Sequence, residues 1–184
     1  MADYKKLIPF ILQWEGGFVN DPADAGGATN KGITIGTFRQ FYGQNKTVDD
    51  LKAITAEQWH HIFKYGYWDR WKADLINSQK IADILVDWVW ASGKYGIIIP
   101  QRLVGVVDDG IVGAKTLAAI NAQHPDILLQ RIYNARVAYI EDIIRKSIEN
   151  YEKKIGRKST QEERLKYTNE RFRRGWMNRL NALR

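Results

Sequence analysis

The stretch from Trp14 to Thr34 constrains this chain more than any other, because it joins a helical pattern to a long glycine-rich loop. Apolar residues recur at helical spacing up to Trp14, and Glu15 stands directly before Gly16 and Gly17. Glycine accepts the positive φ angles that end a helix without a Cβ clash, so the helix is predicted to stop here. We therefore expect Glu15 to project from the last turn into the space that the loop encloses.

Glu15 is a candidate catalytic residue at this position. The negative end of a helix dipole disfavours a carboxylate, so the placement is locally unfavourable and calls for a functional reason. A carboxyl group partly withdrawn from water can act as a general acid near neutral pH. The alternative is that Glu15 is only a helix-end residue in a tight turn.

Four motifs follow one another along the same stretch: Glu15-Gly16-Gly17-Phe18, Asn20-Asp21-Pro22, Gly26-Gly27-Ala28-Thr29-Asn30 and Gly32-Ile33-Thr34. Together they resemble the signature of glycoside hydrolase family 108, a group of phage and bacterial N-acetylmuramidases that cut peptidoglycan. The glutamate of the first motif is essential in that family, which implies that Glu15 is catalytic. The aromatic residue of that motif is commonly Tyr, so no hydroxyl group is expected at Phe18.

A second carboxylate in the loop is a candidate partner for Glu15. Asp24 follows Glu15 by nine positions, a spacing that also resembles phage-type lysozymes, and Asp21 is the alternative. In those enzymes a threonine further on helps to hold water, which Thr29 or Thr34 could do here. Either aspartate could instead cap the loop, since Asn-Asp-Pro is ordinary turn chemistry. Some lysozyme-like enzymes also manage with one carboxylate.

Further candidates for substrate contact are Asn30, Thr29, Trp68 and Asp87. The aromatic run at 65–71 could stack Trp68 or Trp71 on sugar rings, although such rings more often pack in a core. Asp87 lies among apolar residues of a predicted helix that ends at Ser92-Gly93. A buried carboxylate needs a partner, so Asp87 either serves the core, which we favour, or faces the cleft with Glu15.

The second half of the chain carries a different pattern. Pro100 to Leu117 is predicted to form a helix, a turn at Asp109-Gly110 and another helix. This pattern resembles the repeat of peptidoglycan-binding modules, which follow the catalytic lobe in the muramidase family. We therefore expect a catalytic lobe at 1–92 and a peptidoglycan-binding-like helical lobe at 93–184, packed as one compact unit.

Local signals predict mostly helices. The residues predicted to cap helix starts are Asp3, Thr34 or Thr37, Thr55, Ser78 or Asn77, and the Ser159-Thr160 pair. The segment 47–51 is predicted to be a connector between helices. A long helix is expected from Pro125 to Gly156, followed by one last helix. With the resemblance, this predicts a mainly α, lysozyme-like fold with a long N-terminal active-site loop, which could hold a short β-hairpin, and a helical C-terminal lobe.

Charge and composition limit the binding partners and cofactors that we expect for this chain. The net charge is +7, and the segment from Arg145 onward holds 13 Lys and Arg against 5 Asp and Glu. This basic end could attract an anionic wall polymer or a membrane surface, or it could be a solvated helix face. Nucleic acid is not expected, because no nucleic-acid motif accompanies the charge. The chain has no cysteine, and its adjacent His60 and His61 point about 100° apart on a helix, so neither a metal nor another cofactor is expected.

The sequence thus predicts hydrolysis of the β-1,4 bond between N-acetylmuramic acid and N-acetylglucosamine, with Glu15 as general acid. The alternatives are a non-catalytic wall-binding or secretion-accessory protein and a lytic transglycosylase. We expect a monomer that acts on peptidoglycan glycan strands. No signal peptide is recognised at the start, so we expect a cytoplasmic chain that reaches the periplasm or cell wall through a holin or another leaderless route.

Overall fold

The computed structural model describes residues 1–20 and 27–184, which form ten α-helices and one small sheet. Contacts between Cα atoms divide the chain into two units, Met1–Asn77 and Ser78–Arg184. The predicted mainly helical, lysozyme-like fold is confirmed. The predicted division of function at 92/93 stays a prediction. No helix within the described ranges is both long and apolar enough to cross a membrane.

The first unit contains the small sheet and four helices, followed by two short irregular helical turns. Its elements in chain order are α1 Tyr4–Trp14, β1 Thr29–Asn30, β2 Ile33–Thr34, α2 Ile35–Tyr42, α3 Val48–Lys52, α4 Ala56–Phe63, a π-helical turn Lys64–Trp68 and a 3₁₀ turn Ala73–Leu75.

The second unit is helical in all its named elements. They are α5 Gln79–Ser92, α6 Tyr95–Leu103, α7 Ala114–Asn121, α8 Pro125–Ile155, α9 Gln161–Tyr167, a 3₁₀ turn Asn169–Phe172 and α10 Arg173–Asn181.

Capping residues fix most of the predicted helix starts. Asp3 and Thr34 accept from the backbones of Lys5 and Thr37, and Thr55 and Thr160 form full capping boxes. Two predictions are wrong. The segment 47–51 is not a connector, because Thr47 and Asp50 form a capping box that starts α3. The final segment is not one helix either, because Thr168 ends α9 and caps a 3₁₀ turn before α10.

A tight hairpin stands in the N-terminal loop, as the sequence allowed. Thr29 pairs with Thr34 and Asn30 with Ile33, so Lys31 and Gly32 form a two-residue turn. Both turn residues have positive φ, 49° and 77°, as a type I′ turn requires. The indole nitrogen of Trp59 donates to the carbonyl oxygen of Lys31 at 2.9 Å. This bond fixes the turn to helix α4.

Aromatic side chains form much of the core of the first unit. Trp59 and Phe63 stack with ring centroids 5.2 Å apart, and both are buried. Ile33 from the hairpin, with Leu7 and Ile11 from α1, is also buried. The hairpin is thus anchored by an apolar side chain as well as by the Trp59 bond.

In the second unit, α5 and α6 cross at very short range because of one glycine. A Cβ built on Gly96 would lie 2.5 Å from the backbone nitrogen of Val89 and 2.8 Å from the carbonyl oxygen of Trp88. Only a residue without a side chain allows the two backbones to approach this closely. Gly96 therefore sets the packing of α6 on α5.

We expect Gly96→Ala to lower the free energy of unfolding by about 1–3 kcal/mol or more, because the methyl group forces the helices apart. Gly175→Ala is the matched control, since a Cβ there meets nothing within 4 Å. It should raise stability by about 0.5–1 kcal/mol through helix propensity. Urea unfolding of both variants measures this, and shifts in the same direction would contradict the close-approach argument.

Candidate active site

Glu15 is the first residue after α1, with φ −91° and ψ 137°, and it is half-buried. The prediction that the helix stops before the glycine pair is therefore confirmed. A Cβ built on Gly16 or Gly17 meets nothing within 4 Å, and both glycines are exposed. No residue in the described part of the chain therefore crowds the backbone that follows Glu15.

Tyr67, in the π-helical turn, lies within electrostatic range of Glu15. Burial raises the pKa of the Tyr67 hydroxyl above its ordinary value, and the negative charge of Glu15 acts in the same direction. A hydrogen bond with the side chain of Thr37 and the positive charge of Arg70 act against this rise. The tyrosine therefore keeps its proton at neutral pH and remains a neutral hydrogen-bonding group beside Glu15.

Thr34 joins this group through Thr37. Its hydroxyl donates to the hydroxyl oxygen of Thr37 at 3.1 Å and also accepts from the backbone N–H of Thr37 at 3.1 Å. The second bond is the N-cap of α2. Thr34, Thr37 and Tyr67 thus form a chain of hydroxyl groups that leads to the neighbourhood of Glu15, and Thr34 has a structural task whatever its role in chemistry.

The other two polar candidates of the hairpin are held by the backbone. Asn30 is 5% exposed, and its amide nitrogen donates to the carbonyl oxygens of Leu51 and Lys52, both at 3.0 Å. Both amide hydrogens of Asn30 are therefore used to tie the hairpin to α3. Thr29 is half-buried, and its backbone exchanges two 2.8 Å hydrogen bonds with Val19.

The loop carboxylates lie outside the described residues. Asp21 and Asp24 both fall within 21–26, so their predicted roles stay predictions. Phe18, which precedes them, is half-buried, and the ammonium nitrogen of Lys52 lies 5.5 Å from its ring centroid. Phe18 thus has a packing role that needs no hydroxyl group.

Trp68 cannot stack on a sugar in this structure, which corrects its predicted role. It is fully buried, and its indole nitrogen donates to a carboxylate oxygen of Asp74 at 2.8 Å. Trp71 is fully buried as well. The aromatic run at 65–71 therefore contributes two tryptophans to the core, whereas Tyr67 is the aromatic residue that it places near Glu15.

Asp87 belongs to the core of the second unit, so its predicted alternative role in substrate contact is wrong. It is fully buried on α5. One carboxylate oxygen accepts from Nε and Nη2 of Arg179 at 2.9 and 2.7 Å, and the other lies 2.7 Å from Nη2 of Arg136. Two guanidinium groups thus hold this carboxylate, which confirms the structural interpretation that the sequence favoured and leaves no face for a sugar.

The sequence analysis did not identify three residues of this site. Tyr67 lies near Glu15, and Thr37 and Arg70 act on Tyr67. The aromatic run drew attention to its tryptophans, because these have the larger rings for stacking. The hydroxyl group of Tyr67 was the better signal, because within an aromatic run a tyrosine hydroxyl can form hydrogen bonds near a carboxylate. No group of three or more metal-binding side chains occurs in the part of the chain that the structure describes.

Several basic residues of the C-terminal end form ion pairs. Arg157 pairs with Glu163 at 2.6 Å, Lys158 with Glu152 at 2.9 Å, and Arg173 with Glu141 at 2.6 Å. Such pairs at the surface contribute little to stability. They do reduce the free positive charge available to an anionic polymer or a membrane, so this partner stays a prediction.

Glu15 lies within a segment that matches a known protein family. Residues 8–93 match the family model described as Glycosyl hydrolase 108, and residues 95–181 match one described as Predicted Peptidoglycan domain. A solved structure titled "Structure of Brucella abortus SagA" is similar over 98% of this chain and 90% of that chain, with 27% identity and a TM-score of 0.75. No match is found among curated proteins. The resemblance drawn from the sequence is confirmed.

We expect Asp87→Asn to lower the free energy of unfolding by about 3–5 kcal/mol, because it removes the buried carboxylate charge that two guanidinium groups contact. Asp142→Asn is the control, since Asp142 pairs with Arg145 and Lys146 at the surface, and it should cost at most about 1 kcal/mol. Thermal unfolding of both variants tests this. Equal losses would mean that the burial of Asp87 is unimportant.

Proposed function

This chain combines a glycosyl hydrolase 108 segment at residues 8–93 with a predicted peptidoglycan domain at residues 95–181, and we propose that it is an N-acetylmuramidase. It is a glycoside hydrolase directed at peptidoglycan. The bond cleaved is, in this proposal, the β-1,4 linkage between N-acetylmuramic acid and N-acetylglucosamine. The observation that carries the proposal is the position of Glu15, half-buried at an open helix end inside the hydrolase segment.

Glu15 is the general acid of the proposed reaction. Cleavage of a glycosidic bond needs a proton on the leaving oxygen, and positive charge develops at the anomeric carbon as the bond breaks. Gly16 and Gly17 place no side chain beside the Glu15 carboxyl, and no described residue lies within 4 Å of a Cβ built on either glycine. A glycan strand can therefore bring its linking oxygen to this carboxyl group, which gives up its proton as the bond breaks.

Tyr67 and Arg70 support this step from the side. The protonated hydroxyl of Tyr67, held by Thr37, offers a neutral hydrogen bond whose orientation is fixed before substrate binds. Arg70, which acts on the same tyrosine, supplies positive charge near the Tyr67 hydroxyl. We assign both residues a positioning role.

The second catalytic group is proposed from the loop. Asp24, or Asp21 in its place, would stabilise the positive anomeric carbon or activate the attacking water. Thr34 and Thr29 are candidates for holding that water, and Thr34 already belongs to the hydroxyl chain that includes Tyr67. An enzyme that works with Glu15 alone remains the alternative, and it predicts full activity of variants at both aspartates.

We expect Glu15→Gln to abolish clearing of purified peptidoglycan, with a rate loss of at least about 100-fold, because glutamine cannot donate the proton. Turbidity loss with wild type and variant measures the effect, after circular dichroism has shown that both are folded. Glu162→Gln is the control, since Glu162 is exposed on α9, and it should clear the wall at the wild-type rate.

Two results would contradict the assignment. Equal clearing by wild type and Glu15→Gln would move the catalytic group elsewhere. A folded wild type that binds walls but never clears them would favour a wall-binding or accessory protein.

Product analysis tests hydrolysis itself. We expect every cleaved bond to add the mass of one water and to leave a reducing N-acetylmuramic acid end, because hydrolysis transfers water to the anomeric carbon. Mass spectrometry of the released muropeptides, before and after borohydride reduction, measures both features. Anhydro ends that resist reduction would show a transglycosylase instead, with Glu15 as its acid and base.

A further inference from the structure

One surface of the second unit combines exposed aromatic rings with exposed cations. Tyr167, the last residue of α9, and Phe172, the last residue of the 3₁₀ turn, are 54% and 41% exposed. Lys166, Arg171 and Arg174 are close to these rings in the chain, and all three are exposed. We call these five residues the aromatic-basic surface. Apolar groups that are exposed together, rather than singly, mark sites of interaction.

Contacts around Phe172 give this surface a defined arrangement. The ring stacks on Trp176 with centroids 5.5 Å apart, and the guanidinium carbon of Arg171 lies over it, 4.5 Å from its centroid. Nη1 of Arg171 also lies 3.5 Å from the carbonyl oxygen of Lys166. The two parts of the surface, at the end of α9 and in the 3₁₀ turn, are therefore adjacent in space.

Tyr167 is held in the same way as Phe172. Its ring stacks on Tyr151 of α8 with centroids 5.4 Å apart and an interplanar angle of 19°. The ammonium nitrogen of Lys166 lies over the Tyr167 ring, 5.2 Å from its centroid. Each exposed ring thus has both a stacked ring and a cation against it, and it offers mainly its edge to a partner.

The cations of the aromatic-basic surface carry free positive charge. Within the described ranges, no carboxylate oxygen lies within 4.0 Å of any of the three. The carboxylates of Glu163 and Glu170, which belong to the same two elements, pair with Arg157 and Arg173 instead. Residues 161–174 hold five Lys and Arg against three Asp and Glu. We therefore expect a negatively charged partner for this surface.

We propose that the aromatic-basic surface binds the headgroup layer of an anionic phospholipid bilayer, with the chain lying on the membrane. Each Lys or Arg near such a layer is attracted by the lipid charge. Aromatic side chains favour the same layer, and the strength of binding grows with the apolar area that leaves water. A dissolved polyanion would pair with the cations but leave the exposed rings in water. The proposal does not rest on the muramidase assignment, because binding to lipid needs no glycan.

Nucleic acid fits these rings less well than a bilayer does. Bases bind single-strand-binding proteins by stacking on the faces of aromatic rings. The Phe172 ring is already stacked on Trp176 and has the guanidinium of Arg171 over it, and Tyr167 is arranged likewise. Ring edges can still enter a headgroup layer, which requires no stacking geometry.

Sedimentation of the full chain with lipid vesicles tests the proposal. The probes are vesicles of phosphatidylglycerol and phosphatidylcholine in equal amounts, and vesicles of phosphatidylcholine alone, at about 0.15 M salt. We expect binding to the mixed vesicles to be at least about tenfold tighter, because the second kind lacks the negative charge. Equal binding to both kinds, or no binding to the mixed vesicles, would overturn the proposal.

Two triple variants locate the electrostatic attraction. Replacing the three cations of the surface by glutamine, as Lys166→Gln, Arg171→Gln and Arg174→Gln in one chain, should weaken binding to mixed vesicles at least about tenfold. The control removes the same charge from three exposed lysines elsewhere and should weaken binding less than about threefold, because charges outside the contact are screened by salt. Its changes are Lys6→Gln, Lys80→Gln and Lys115→Gln. Equal losses would contradict a local binding surface.

Two double variants test the rings while the charge stays unchanged. Tyr167→Ser with Phe172→Ser should weaken vesicle binding at least about fivefold, because the headgroup layer loses its apolar contact. Val107→Ser with Ile127→Ser is the control, since these side chains are 74% and 60% exposed outside the surface, and it should bind as the wild type does. Undiminished binding by the ring variant would overturn the proposal and assign the cations to a dissolved polyanion.

Fluorescence of the wild type gives a measurement that does not depend on the folding of the ring variant. Bromine atoms on the acyl chains of phosphatidylglycerol quench a tryptophan that lies close to them, and Trp176 stacks on Phe172. We expect brominated mixed vesicles to quench the bound chain, and Trp176→Phe to lose this quenching while it binds as tightly. Bound wild type without quenching, or equal quenching of Trp176→Phe, would overturn the proposal.

A single-stranded DNA oligonucleotide is the competing probe. We expect the ring variant to bind it as the wild type does, since DNA would be held by charge alone. A larger loss of binding to DNA than to mixed vesicles in this variant would overturn the proposal in favour of nucleic acid.

Discussion

The contact of Asp87 with two arginines is the interaction on which the second unit depends. It joins α5 to α8 through Arg136 and to α10 through Arg179, three helices that lie far apart in the chain. A buried ion pair adds little net stability over an apolar contact, but an arrangement that leaves any of these charges unpaired is strongly disfavoured. The cluster therefore selects one packing of the helices.

Local chemistry made much of the fold predictable. Thr55 with Gln58 and Thr160 with Glu163 are capping boxes that a sequence displays directly, because their members lie three residues apart. The same rule was present at Thr47 and Asp50, and the connector prediction failed because the five-residue helix that follows is too short to show a helical period. The partners of Asp87 were not predictable, since nothing local in the sequence relates it to Arg179.

In the candidate site, too, the residues with a local sequence signal were predictable and those whose place depends on the fold were not. Glu15 was found because its signal is local: an apolar helical pattern, a carboxylate and two glycines in succession. Trp68 was misassigned because composition cannot tell which rings of an aromatic run face the core. The π-helical turn rotates the run so that Trp68 meets Asp74 in the interior while Tyr67 reaches Thr37. Such turns are uncommon and frequently occur at functional sites.

Around Glu15, the residues that hold the hairpin rigid differ from those that leave room for the glycan. The hairpin is fixed by two side chains that have no proposed catalytic role. Trp59 donates a hydrogen bond to the carbonyl oxygen of Lys31, and Asn30 donates to the last two carbonyl oxygens of α3. Glu15 itself is followed by two glycines, and none of the residues that the structure describes crowds them. A general acid needs both conditions, because proton transfer requires a fixed distance and the glycan requires room. Thr34 is the residue where the two conditions meet: it caps α2 and also ends the hydroxyl chain to Tyr67, so the start of that helix sets where the tyrosine is held.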